Sequence, residues 1–119
     1  MAYPKTELFS EFDQKVSSYG RLLGHPARIE ILQILEMHGP TTVGEFERLL
    51  PLSQGSITEH LRKLRLAGLI RVDIQGLYNY YILNLSGLQA LFETQNKFEM
   101  ILNVSLIRQN RENGVINTD

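Results

Sequence analysis

The sequence predicts a mainly α-helical domain with a small β-hairpin, in the order α-α-α-α-β-β-α. Three observations carry this. Apolar residues recur three and four apart through most of the chain, the spacing that collects them on one face of a helix. Glycine, proline and capping residues divide that pattern into five helical stretches. Between residues 69 and 83 the period changes to short runs rich in Ile, Val, Tyr and Leu, broken by a glycine.

The first helix is expected over residues 4–24, opening at Pro4, whose fixed φ suits a first helical turn. Leu8, Phe9, Phe12, Val16, Tyr19, Leu22 and Leu23 form its apolar stripe. Gly24 stops it, and Pro26 starts a second helix that runs through Ile29, Ile31, Leu32, Ile34 and Leu35 to His38. Gly39-Pro40 breaks the chain. Thr42 and Glu45 then form a Thr-x-x-Glu capping box, in which each side chain satisfies the other residue's free backbone N–H. The third helix carries Val43, Phe46, Leu49 and Leu50 and ends at Pro51. Ser53 caps a fourth helix with Ile57, Leu61 and Leu64, closed by Gly68. Leu69–Ile74 and Leu77–Leu83 read as antiparallel strands with Gln75-Gly76 as the turn. A last helix over 86–112 carries Leu88, Leu91, Phe92, Phe98, Ile101, Leu102, Leu106 and Ile107.

The third and fourth helices, 42–67, are joined so tightly that they make a helix-turn-helix. With the hairpin at 69–83 as its wing, the domain is a winged helix-turn-helix over residues 1–113, with an extra helix at each end and a loose tail at 114–119. One domain suits 119 residues. Without a cysteine, disulfides and thiolate metal sites are excluded. No apolar run reaches the roughly 18 residues a membrane span needs, and Met1 to Ser10 lacks the pattern of a secretory signal, so a cytoplasmic protein is expected. The formal charge of −1 argues against bulk affinity for nucleic acid and leaves that question to local charge.

Residues 22–83 resemble the ArsR (arsenical-resistance repressor) family. Leu22-Leu23-Gly24-His25-Pro26-Ala27-Arg28 is similar to the family's Leu-x-x-Pro-x-Arg opening of its second helix. Leu52-Ser53-Gln54-Gly55-Ser56-Ile57-Thr58-Glu59-His60-Leu61 is similar to its recognition helix. Leu64, Ala67-Gly68-Leu69-Ile70 and the Gly76 to Tyr80-Tyr81 hairpin continue the match in register. The resemblance implies a dimeric, DNA-binding transcriptional regulator, a repressor by analogy. It also marks departures. Glu59 stands where the family often has Arg, and the hairpin tip, Asp73 to Leu77, carries no Lys or Arg, which implies a shallow dependence of DNA binding on salt. The family's arsenical site resembles Cys-x-Cys at the start of the third helix, where this chain has Thr42 and Gly44. Its last-helix metal sites use histidine, and none lies beyond His60. No metal or cofactor is expected, and His25 and His38 read as surface or capping residues.

At 100° per residue the fourth helix buries Ile57, Leu61 and Leu64. Gly55, Ser56, Glu59, Arg62 and Lys63 point outward, with Gln54, Thr58 and His60 on the flanks. Gln54 and the small hydroxyls of Ser53, Ser56 and Thr58 suit base edges in a major groove, with Gly55 and His60 on the same DNA-binding helix and Glu59 able to accept from a cytosine amino group. Arg62, Lys63, Arg65 and the more distant Arg28 suit phosphates. A solvated basic face, and an ordinary surface arginine at 28, are the plainer alternatives. Leu8, Phe9, Phe12, Val16, Tyr19, Phe98, Ile101, Leu102 and Leu106 are expected to form a homodimer interface, the alternative being closure of a monomer core. No motif recommends an enzyme. A protein-interaction module with little DNA affinity is the competing function, favoured by the near-neutral charge and Glu59. The inducer, the operator and the choice between repression and activation are not legible.

Overall fold

The computed structural model describes residues 8–114, in the order α1 (Glu11–Leu22), α2 (Pro26–His38), α3 (Val43–Leu49), α4 (Gln54–Leu66), β1 (Ile70–Gln75), β2 (Tyr78–Leu83) and α5 (Leu85–Glu112). The expected opening at Pro4 and the tail 115–119 lie outside the described residues.

Capping chemistry sets the helix starts. The Ser10 hydroxyl accepts from the Asp13 N–H at 3.1 Å, and Ser10 itself is extended, so α1 begins at Glu11. Leu8 and Phe9 therefore precede the helix instead of lying on its stripe, and Leu8 is 83% exposed. The capping box forms as expected: Glu45 N–H donates to Thr42 Oγ1, and Thr42 N–H donates to Glu45 Oε1, both at 3.3 Å. Ser53 Oγ accepts from Ser56 N–H at the start of α4.

The hairpin turn sits one residue later than the sequence suggests. Gln75 pairs with Tyr78, leaving Gly76-Leu77 as the two-residue loop. Gly76 has φ +61° and Leu77 a negative φ, the sign pattern of a type II′ turn, which wants glycine first. Leu77 thus caps the wing at 99% exposure. The register puts Arg71, Asp73, Gln75, Tyr78, Tyr80 and Ile82 on the outer face. Ile70, Val72, Tyr81 and Leu83 lie on the face turned to the helices.

The core is one cluster: Leu22 from α1, Ile31, Ile34 and Leu35 from α2, Phe46 from α3 and Leu50 after it, Ile57, Leu61 and Leu64 from α4, then Leu69, Ile70 and Leu91. Thr41 exchanges backbone hydrogen bonds with Tyr81 and ties the α2–α3 connection to the wing. These contacts fix α4 on its inner side alone.

The 28 residues of α5 make a rod of about 42 Å. Its first third packs on the core, and Lys97 Nζ lies 4.7 Å from the centre of the Phe12 ring of α1. Beyond that, Phe98, Met100, Ile101, Leu102, Val104, Leu106 and Ile107 are all exposed. The radius of gyration, 18.8 Å, reflects this projecting arm; a compact domain of this length has roughly 13–14 Å. Among the described residues no helix is long and apolar enough to cross a membrane.

Candidate nucleic-acid interface

Ile57, Leu61 and Leu64 are fully buried, and their spacing anchors α4 along one line. The opposite side is open. Ser53, Gln54, Gly55, Ser56, Thr58, Glu59, Arg62, Lys63 and Arg65 are all exposed, along a helix about 20 Å long. Gly55 has open space where a Cβ would stand, so nothing there keeps another surface from the backbone.

Within this face one ion pair changes the charge arithmetic. Arg62 Nη2 and Nε donate to Glu59 Oε1 and Oε2 at 2.7 and 3.0 Å. The hydrogen bond from Arg62, helped by the charges of Arg62, Lys63 and Arg28, holds the Glu59 carboxyl below its ordinary value. A fully exposed pair of this kind adds little stability. Its effect is to neutralise Arg62 and leave Lys63 and Arg65 as the unpaired cations of α4 among the described residues.

Two expected DNA-facing residues turn inward. Arg28 is 4% exposed: its Nη1 donates to the Leu22 carbonyl at 3.0 Å and its Nε to His60 Nδ1 at 3.1 Å. His60 is half-buried over that contact, with its ring 5.7 Å from that of His25. Packing α2 across α4 encloses a guanidinium whose hydrogen bonds are then made inside the protein. Arg28 is therefore not the ordinary surface arginine of the plainer reading, and the Nδ1 of His60 is taken up by Arg28. His25 is the N-cap residue of α2 without a side-chain cap bond, and His38 ends α2 exposed.

Burial, then the charges of Arg28, His25 and Lys63, lower the His60 pKa, with Glu59 opposing. A histidine lowered on folding favours the neutral folded state. Its contribution to stability is present above the ordinary value near 6.5 and is lost as pH falls through the folded value. Protonation also removes the Nδ1 acceptor of Arg28. Urea unfolding at about pH 7.5 and about pH 5.5 is expected to show a larger loss for the wild type than for His60→Gln. Equal losses would mean that this ring does not report on pH.

Sequence reasoning missed two exposed arginines outside α4. Arg71 stands at the base of the wing's outer face. Arg21, in the last turn of α1, shares a cleft with Lys63. No local pattern points to Arg21, since its position depends on how α1 and α2 cross α4.

A short helix-turn-helix, a solvent-facing second helix and a two-stranded wing define a winged helix-turn-helix of the transcription-regulator class. A helix-turn-helix domain model matches residues 23–73. The arsenical resistance operon repressor of Bacillus subtilis (strain 168) is 31% identical over 80 residues, covering 67% of this chain and 72% of that protein. An ArsR-like transcriptional regulator from Rhodococcus sp. RHA1 superposes with a TM-score of 0.70 at 20% identity, over 86% of this chain and 95% of that one. The homodimeric winged helix-turn-helix domain of a possible ArsR-family regulator from Mycobacterium bovis matches with a TM-score of 0.57 at 19% identity, over 88% and 87%. The chain belongs to the ArsR family of winged helix-turn-helix DNA-binding transcriptional regulators.

Proposed function

We propose that the protein is a cytoplasmic, non-enzymatic repressor that binds an inverted-repeat operator as a homodimer. The observation that carries this is the exposed N-terminal half of α4, where Gln54, Ser56 and Thr58 stand clear of the core. Amide and hydroxyl groups on a helix that fits a groove about 12 Å wide are suited to base edges. Lys63 and Arg65 follow toward the C-terminus, where they suit phosphates and supply no sequence reading. The apolar outer half of α5 supports the dimer, as does the homodimeric M. bovis domain. A two-fold axis between the α5 helices sets the two α4 helices about one DNA turn, or 34 Å, apart. Repression is the role named for the B. subtilis relative.

The test is titration of fluorescent DNA carrying the protein's own promoter region, at two salt concentrations, with scrambled duplex as competitor. Selective binding that weakens with salt, and loses its selectivity when Gln54 and Thr58 are both alanine, is the expected result. A folded dimer without selectivity at low salt would overturn the operator reading. It would favour a protein-interaction module, to which the Glu59–Arg62 pair and the uncharged Leu77 wing tip are better suited.

A further inference from the structure

Beside the reading face lies a cleft of about 540 Å³ whose nine lining residues include Arg21, His25, Arg28, Arg62 and Lys63. Five of these nine carry cationic or imidazole groups and none carries a carboxylate. In a chain of net charge −1 this is a concentrated exception. Glu59 lies nearby and is held by Arg62, so the charges left to the cleft are those of Arg21, Lys63 and Arg28, with His25 on the rim.

Arg28 makes the second point. A buried guanidinium is usually matched by a carboxylate, because taking a charge out of water is costly. Here its protein partners are a backbone carbonyl and a neutral imidazole, and neither returns a negative charge. The depressed pKa of His60 has the same origin in part, since Arg28, His25 and Lys63 all disfavour its proton. One nearby carboxylate, Glu59, is shared by Arg62, Lys63 and Arg28, and an oxyanion in the cleft would add the negative charge that this single group does not supply to all of them.

We propose that this cleft seats a phosphate of the DNA backbone, with Arg21 and Lys63 as its direct contacts and Arg28 as the charge behind it. The proposal rests on the DNA-binding reading and extends it. Lys63 and Arg62 belong both to the cleft and to the outward side of α4, so the site continues the reading face instead of forming a separate one. The contact lies on the α1–α2 side of the helix, away from the wing. It supplies the backbone anchoring that a wing tip without Lys or Arg does not.

The experiment compares wild type, Arg21→Gln and Lys63→Gln on the promoter duplex and on a scrambled duplex across a salt series. Both side chains are exposed, circular dichroism controls for folding, and either variant suffices if the other fails to fold. A dimer has two clefts, so each variant is expected to weaken binding about tenfold on both duplexes alike and to reduce the salt slope by about 2. The ratio between duplexes should not change. A helix-stabilising role for Arg21 at the end of α1 would leave that slope unmoved. Wild-type slopes and affinities in both variants would overturn the proposal. A wild type that binds both duplexes equally would sink operator recognition, while the slope on scrambled DNA still tests the cleft. A second arm follows the histidine ring protons by NMR with sodium phosphate against sodium chloride at matched ionic strength. Saturable shifts with phosphate, combined with unaltered DNA binding by Arg21→Gln, would reassign the cleft to a free phosphate-bearing ligand and overturn the DNA assignment.

Discussion

Replacing Ile101 and Leu102 together with glutamate is expected to convert the protein to a monomer and to weaken operator binding at least about a hundredfold. The cause is the outer part of α5. Leu102 is 58% exposed, and Phe98, Ile101, Val104, Leu106 and Ile107 are similarly open. These positions do not share one narrow stripe but surround much of the helix, a pattern that belongs to a helix covered on several sides. Covering the exposed half of each such side chain is worth about 1 kcal/mol, whereas a carboxylate in the same place must be desolvated without a partner. The DNA effect follows from geometry. Once one α4 is seated, a joined partner meets its half-site at high effective concentration, and a monomer forfeits that gain. Sedimentation measures the mass and fluorescence anisotropy the affinity. A double variant that remains dimeric would remove the arm from the interface, and a monomer that binds as tightly as wild type would remove the dimer from the mechanism.

The second large effect is expected at a position with no exposed surface chemistry. Gly87→Ala should lower stability by about 3 kcal/mol, at the upper end of what an overpacked core costs. A methyl group at 87 would overlap the carbonyl of Gly68, which belongs to backbone and has no side-chain rotamer through which to yield. The carbonyl is held in place. Asn84 Nδ2 donates to it at 2.9 Å, Asn84 N–H donates to the Leu69 carbonyl at 2.9 Å, and Gly68 itself has φ +81°. The contact joins the start of α5 to the turn that follows α4, and so couples the arm to the reading head. Gly20→Ala, in α1 with nothing within 4 Å of the new methyl, is the control and should be neutral or stabilising by up to about 1 kcal/mol. Urea unfolding of both variants decides it: an unchanged midpoint for Gly87→Ala would mean that the two segments separate at little cost.

The two predictions differ in how much of them was legible without the fold. The apolar character of Phe98, Ile101, Leu102 and Leu106 is plain in the sequence, as is the excess of apolar surface over what a small core covers. Nothing in the sequence marks Gly87, because a glycine near a helix start looks ordinary until the backbone it touches, 19 positions earlier, is known.

What the sequence determined by itself is the set of features that close within one or two turns of chain. The Thr42–Glu45 capping box, the Ser53 cap and the Gly39 break involve partners three or four residues apart, the Pro26 start needs only proline's fixed φ, and each stands where the sequence places it. The outward face of α4 also follows locally, since burying Ile57, Leu61 and Leu64 leaves only one side open. The tertiary structure decided the rest. Ser10 caps the start of α1, and the hairpin turn moves one residue to bring Gly76 to the position that needs positive φ. Arg28 and His60 meet across 32 residues because α2 crosses α4 there, and the same crossing brings Arg21 beside Lys63. Whether a cation faces water or the interior depends on which helix lies over it. Local periodicity carries no record of that neighbour, so the burial of Arg28 and the place of Arg21 are written in such contacts.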